Sequence, residues 1–258
     1  MNNHEIDYKL SGEEMQCVEV ELDPNEAVIA EPGSFMMMTD GIQMETLFGD
    51  GNEKGFMGKL FSAGKRLLTG ENLFMTVYTN ISSQKRQVSF AAPYAGKIIP
   101  LNLMNLGGKV ICQKDSFLAA AKGVAVGIEF QKKLGTGLFG GEGFIMQKLE
   151  GDGMAFVHSG GHVIEKDLQA GDMLKIDTGC IVAFTSSVNY DIQFVGGVKN
   201  TLFGGEGMFY AVLRGPGKVW IQTLPISRLA GKILSYGRGG RKEEGSILGG
   251  LGNLLDGD

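Results

Sequence analysis

Histidine and cysteine are scarce in this chain, with three of each in 258 residues. The cysteines, Cys17, Cys112 and Cys180, are odd in number and lack CxxC spacing, so the expectation is reduced, mostly buried thiols rather than a zinc site or a disulfide framework. His4 lies in a polar terminus. That leaves His158 and His162 for any Ser/His/Asp or Cys/His constellation, and no nucleophile motif accompanies either. No apolar stretch approaches the roughly 18 residues that a bilayer-crossing helix needs. A basic surplus is missing too: 24 Lys and Arg stand against 29 Asp and Glu, with a pI near 5.4. The net attraction that dominates phosphate binding is therefore absent, and no specific nucleic-acid partner is expected. The first residues, Met1 to Asp7, form no charged-then-apolar leader, and the expected location is cytoplasmic.

Glycine, in contrast, is abundant at 41 residues, and much of it falls in a repeat. Leu-Phe-Gly-Gly-Glu-Gly occurs at Leu138 to Gly143 and again at Leu202 to Gly207, with a looser copy, Leu68-Thr69-Gly70-Glu71-Asn72, upstream. Each copy precedes an apolar run, Leu73 to Tyr78, Phe144 to Leu149 or Met208 to Leu213, which reads as a buried strand. A turn follows at Asn80, Gly151-Asp152-Gly153 or Gly215-Pro216-Gly217, and then a second strand at Val88 to Phe90, Met154 to Val157 or Val219 to Ile221. The same hairpin is written three times. Comparable turn-then-strand segments begin at Glu31, Lys114 and Asp177, and strands precede them at Gln16 to Leu22, Lys109 to Cys112 and Met173 to Ile176. Val18, Val20 and Leu22 alternate with Glu19 and Glu21, as a half-buried strand requires.

The spacing is too long for a solenoid repeat and suits small β-modules that are marginal alone. The fold class is all-β: three modules, about 1–105, 106–170 and 171–236, packed into one body about a pseudo-threefold axis. An insertion, Thr46 to Arg66, interrupts the first. A short helix with Ser227 as its N-cap, carrying Leu229, Ile233 and Leu234 on one side, follows the last strand. Residues 237–258 read as a flexible glycine-rich tail.

Three segments carry a family resemblance over most of the chain: Leu22-Asp23-Pro24-Asn25-Glu26-Ala27-Val28-Ile29-Ala30-Glu31-Pro32-Gly33-Ser34-Phe35, the Gly140-Gly141-Glu142-Gly143 turn, and Gly215-Pro216-Gly217-Lys218-Val219-Trp220-Ile221-Gln222-Thr223. Together they resemble the bacterial branch of the mitochondrial-biogenesis (altered inheritance of mitochondria) family. The resemblance implies a double-stranded β-helix-like sandwich, similar to the tryptophan RNA-binding attenuation protein, present three times. It implies no particular chemistry and no cofactor.

That architecture also includes cupins, so a metal-dependent enzyme is the sharper alternative. Asp167 to Gly179 has the rhythm of the second cupin motif, but Val182 stands where the ligand histidine belongs. His158, His162 and Glu165 offer two imidazoles and a carboxylate, ligand types a divalent metal accepts, in an incomplete shell without the HxH spacing. The plainer reading makes the two histidines turn-flanking surface residues. Glu71, Glu142 and Glu206 recur in the repeat turns; each is read as a turn carboxylate, the alternative being a three-carboxylate cation site around the axis. Gly135-Thr136-Gly137-Leu138-Phe139-Gly140 matches GxGxxG in form, but it opens a hairpin and lacks the strand-then-helix context of a dinucleotide site.

Phe35-Met36-Met37-Met38 predicts a strand buried on both faces or used in an oligomer contact. Ile247 to Leu255 is apolar without being a stable helix, and it suits a subunit contact or peripheral membrane contact. The sequence thus supports a non-catalytic β-scaffold or ligand-binding protein that forms a homo-oligomer, for which a trimer is expected. A cupin-like enzyme comes second and an RNA-binding protein third.

Overall fold

The computed structural model describes residues 5–48, 74–132, 144–194, 209–234 and 236. The repeat glutamates Glu71, Glu142 and Glu206, their glycine turns, and the tail from 237 lie outside the described residues.

After a leading strand β1 (Asp7–Ser11) the described residues run through three successive sets of six strands. The first set is β2 (Cys17–Leu22), β3 (Ala27–Ala30), β4 (Phe35–Met38), β5 (Ile42–Phe48), β6 (Phe74–Asn80) and β7 (Arg86–Ala91). The second is β8 (Gly96–Asn102), β9 (Lys109–Gln113), β10 (Phe117–Ala121), β11 (Ala125–Lys132), β12 (Phe144–Glu150) and β13 (Met154–Gly160). The third is β14 (Val163–Leu168), β15 (Met173–Asp177), β16 (Ile181–Thr185), β17 (Asn189–Phe194), β18 (Phe209–Arg214) and β19 (Gly217–Gln222). β5 continues through Thr46 to Phe48, where the sequence suggested an insertion.

These strands form four antiparallel sheets, in the orders β1-β2-β7-β4, β5-β6-β3-β10-β13-β8, β11-β12-β9-β16-β19-β14 and β15-β18-β17. Within each set the sixth strand lies between the first and third, and the fifth between the second and fourth. The third strand carries a bulge against the sixth at matching places: between Phe35 and Met37, Phe117 and Ala119, and Ile181 and Ala183. Sets are joined through β3–β10 and β9–β16. The alternation read in β2 is realised, with Val18, Val20 and Leu22 fully buried. Pro100 is tolerated in β8 because that strand closes its sheet as an edge, where a missing N–H breaks no inner ladder.

Two apolar clusters form the core. The larger gathers Val20, Leu22, Phe90, Phe156 and Trp220, and the smaller gathers Phe144, Met146, Phe184 and Leu213. Cys112 is fully buried in the larger cluster, and burial pushes its thiol pKa up, as expected of an inert core cysteine.

The Asn80 turn is built around its buried amide. Nδ2 donates to the carbonyls of Leu22 (2.9 Å) and Gln84 (2.8 Å), while Oδ1 accepts from Ser82 N–H (2.9 Å) and Ser82 Oγ–H (2.8 Å). Asn80→Ala removes four hydrogen bonds at once and is expected to lose about 3 kcal/mol of stability. Urea titration should show a lower midpoint at unchanged slope.

Three expectations change. The strands read as one hairpin written three times do not pair with each other: β6 and β7, β12 and β13, and β18 and β19 lie in different sheets, so each intervening turn carries the chain from one sheet to another. Phe35 to Met38 is not interior: the four side chains are 39%, 51%, 50% and 38% exposed, because β7 covers one edge of β4 and no described strand covers the other. The C-terminal helix α1 spans 226–234, so Ser227 lies inside its first turn and the Pro225 carbonyl accepts from Leu229 N–H as the helix opens. Leu229 is half-buried, while Ile233 and Leu234 are exposed.

Candidate functional site

A cleft of about 510 Å³ opens where the turn entering β4, the turn entering β10, the end of β13 and α1 meet. The first turn is Glu31-Pro32-Gly33-Ser34, with proline presetting the second position and Gly33 at φ 91°, a left-handed value that disfavours a side chain. Glu31 O accepts from Ser34 N–H (3.2 Å) and Ser34 Oγ–H (2.7 Å), and Glu31 N–H donates to Leu118 O (3.0 Å). The Glu31 backbone is thereby fixed, and its partly buried carboxyl lies near enough to Lys114 and Asp115 to feel both charges. Phe117, Leu118 and Ile226 supply apolar wall.

His158 forms the floor. It sits on β13 opposite Ile98 and is 1% exposed, with its ring edge-on to Tyr94 at 4.5 Å. No group among the described residues meets either ring nitrogen in good hydrogen-bond geometry; the Tyr94 backbone comes near enough for a weak, poorly aligned one. Burial lowers its pKa to about 4, opposed slightly by the Tyr94 backbone, so the imidazole is neutral at pH 7. Burial raises Glu31 to about 7; Lys114 opposes this and Asp115 adds to it. Tyr94 is raised to about 12, by burial and then by Asp115.

The isolation of His158 has a local cause. Ile221 faces Ile181 as Val157 faces Phe117, so Gln222 occupies in the third set the place of His158 in the second. Gln222 is paired at both ends of its amide: Oε1 accepts from Gly160 N–H (2.7 Å) and Nε2 donates to Gly179 O (2.8 Å). By the same register the counterpart of Gly160 is Pro93, which has no N–H to give. The neighbour that would satisfy a ring nitrogen has been removed by sequence, leaving a buried polar group facing a cleft.

The sequence-derived trio does not assemble. His162, beyond the Gly160-Gly161 turn, is exposed, and its backbone N–H donates to Thr223 Oγ1 (2.9 Å). Glu165 on β14 is exposed and occupied by Lys218 Nζ (2.6 Å) and Trp220 Nε1 (3.0 Å). Among the described residues no group of three His, Cys, Asp or Glu is placed to hold a metal ion. His158 is deeply buried rather than turn-flanking at the surface, because Tyr94 and the β10 turn cover it. Glu31, Tyr94 and Asp115 were not singled out by sequence as site residues. The available signal was departure from repetition: histidine and Pro93 where the neighbouring set has glutamine and glycine.

No helix among the described residues is long and apolar enough to cross a membrane. The sequence pattern described as Mitochondrial biogenesis AIM24 matches residues 8–224. An uncharacterized protein of Streptococcus pyogenes serotype M6 is 30% identical over 223 residues, covering 85% of this chain and 86% of that protein. A crystal structure of a Streptococcus pyogenes protein superposes with a TM-score of 0.71 at 24% identity, over 90% of this chain and 99% of that one, and so shares the fold.

Proposed function

This chain belongs to the Mitochondrial biogenesis AIM24 family, and we propose that it acts as a non-catalytic β-scaffold of three modules that self-associates and holds a small ligand in the Glu31–His158 cleft. One observation carries the ligand reading: a neutral, buried imidazole without a well-formed hydrogen bond among the described residues lies at the floor of an open cleft with apolar walls. An unpaired buried polar group costs roughly 1–3 kcal/mol, a cost that a bound hydrogen-bonding ligand removes. The favoured ligand is compact and uncharged, with an apolar body and one hydroxyl or amide end.

A ligand-observed NMR screen of such molecules tests it. Binders are expected to compete for one site, and His158→Gln is expected to weaken them at least tenfold with the fold unchanged. Binders insensitive to both His158→Gln and Glu31→Gln would place ligand recognition elsewhere.

The metal-dependent alternative gains no support from the positions of His158, His162 and Glu165, and metal content after mild purification tests it directly. Salt-dependent retention on a nucleic-acid column tests the RNA-binding alternative. Neither assay is expected to give stoichiometric binding.

A further inference from the structure

The joint between strand sets is made the same way twice. The third strand of one set adds antiparallel to the second strand of the set before it: β10 on β3, with Ala119 opposite Ala30, Ala120 opposite Ile29 and Ala121 opposite Val28. β16 joins β9 with Ala183 opposite Cys112, Phe184 opposite Ile111 and Thr185 opposite Val110. The third strand of the first set, β4, and the second strand of the third set, β15, are the two halves of such a joint. Among the described residues β4 pairs only with β7, and β15 only with β18.

Their surfaces match that state. Every residue of β3, β10 and β16 is buried, whereas every residue of β4 is exposed, and in β15 Met173 is 57% exposed with Lys175 exposed beside it. Other edge strands have charge or proline, but β4 presents Phe35, Met36, Met37 and Met38 with none of the usual protection against pairing. Among the described residues the fourth strand of every set ends its sheet, and so does the first strand of the second and third sets, β2 being covered by β1; edges at the second and third positions are left open only here.

We infer that β15 of one copy adds antiparallel to β4 of a second copy, making a seven-stranded sheet β1-β2-β7-β4-β15-β18-β17 and joining copies head to tail. This rests on the self-association in the proposed function and specifies its surface. A second copy is the occupant because one chain carries both halves of a joint that it already makes twice internally. The register follows from the shared bulges and from Leu174 facing Leu213 as Val28 faces Tyr78 and Val110 faces Leu149. It sets Met37 opposite Ile176, Met38 opposite Lys175 and Thr39 opposite Leu174. Lys175 stands where both internal joints have isoleucine. Its stem packs on Met38, and its ammonium keeps its place over the Tyr210 ring, 5.5 Å from the centroid. Such an interface joins two different surfaces, so copies continue until a ring closes or a filament grows.

Light scattering of the full chain is expected to give a multiple of 27.6 kDa. Met38→Lys sets two ammonium groups opposite each other and should weaken association at least tenfold with unchanged circular dichroism. Adding Lys175→Glu to that variant should restore the assembly. A chain with Met38→Cys mixed with a chain with Lys175→Cys should form a disulfide between chains. Association indifferent to Met38→Lys overturns this interface while leaving self-association standing. A monomer at high micromolar concentration overturns both. A Met38→Cys/Lys175→Cys chain that links only within itself shows closure inside one molecule and overturns the head-to-tail joint.

Discussion

Gly96→Ala is expected to leave the chain unable to hold its fold at room temperature. Gly96 begins β8, faces Gly160 across the β8–β13 ladder, and donates its N–H to the Glu14 carbonyl (2.6 Å). A methyl group there would land on the carbonyl oxygen of Ser159, with the Ser159 carbonyl carbon and His158 Nε2 each 2.8 Å away. The first two obstacles are backbone, so no rotamer change makes room; β8 has to leave β13 or lose the Glu14 contact. A cost of about 4 kcal/mol or more follows, a large part of the roughly 5–15 kcal/mol that stabilises an ordinary domain. Two other glycines calibrate it. Gly33→Ala meets nothing within 4 Å but strains a left-handed turn, and should cost about 1 kcal/mol. Gly231→Ala, in α1 with open space around it, should gain up to about 1 kcal/mol from helix propensity. Thermal denaturation of the three variants should rank them in that order; a Gly96→Ala protein melting with wild type would mean that β8 is not packed on β13 as described.

The contributions of Glu31 and His158 to the pH dependence of stability should nearly cancel in the wild type and emerge in two variants, with opposite slopes. His158 has a pKa of about 4 against an ordinary value of 6.5, so between those pH values the unfolded chain binds the proton that the folded chain refuses. Its contribution is complete above 6.5 and is lost as pH falls toward 4. Glu31 behaves in the reverse sense. Raised from 4.5 to about 7, it keeps its proton in the folded state while the unfolded chain releases it, so stability falls as pH rises from 4.5 to 7. Each tenfold difference in proton affinity is worth about 1.4 kcal/mol, which bounds either effect at about 3 kcal/mol. The two nearly cancel between pH 4.5 and 6.5. Removing Glu31 as Glu31→Gln should make the variant gain on wild type, by up to about 3 kcal/mol, as pH rises from 4.5 to 7. His158→Gln should gain on wild type by a similar amount as pH falls from 6.5 to 4. Denaturant titrations across this range measure the differences, in which other carboxylates cancel. Parallel curves for wild type and His158→Gln would mean that the imidazole is not held neutral.

Much of the local structure was legible because it is governed by neighbours in sequence. Alternation in Cys17–Leu22, the Asn80 turn, the Glu31-Pro32-Gly33-Ser34 entry to β4 and the positions of the repeated strands are all patterns of period two bounded by residues suited to turns, whereas the pairing of those strands as hairpins was not legible, since β6 and β7, β12 and β13, and β18 and β19 lie in different sheets. Leading strand β1 was missed because Asp7 to Ser11 is exposed at every position but Leu10, so no alternation marks it. The cleft was illegible for a different reason. Glu31, Tyr94, Asp115 and His158 are spread over 128 positions and meet only because β10 joins β3 on one edge and β13 on the other. His158 and His162 are four residues apart yet one is buried and the other exposed, a difference imposed by Tyr94 and the β10 turn lying over the first.

By itself, the sequence determined that this is an all-β chain of recurring strand-turn-strand segments within a recognisable family, since strand period and turn chemistry are short-range properties and the repeated segments carry the resemblance. Only the tertiary structure decided which strands of equal apolarity are covered. Ala119 and Met37 occupy the same place beside the same bulge, but β3 lies along β10 and buries the first, while no described strand lies along β4 and the second stays half in water. Burial is set by long-range pairing, and so are the proton affinities of Glu31 and His158, because desolvation depends on what the rest of the chain lays over a residue.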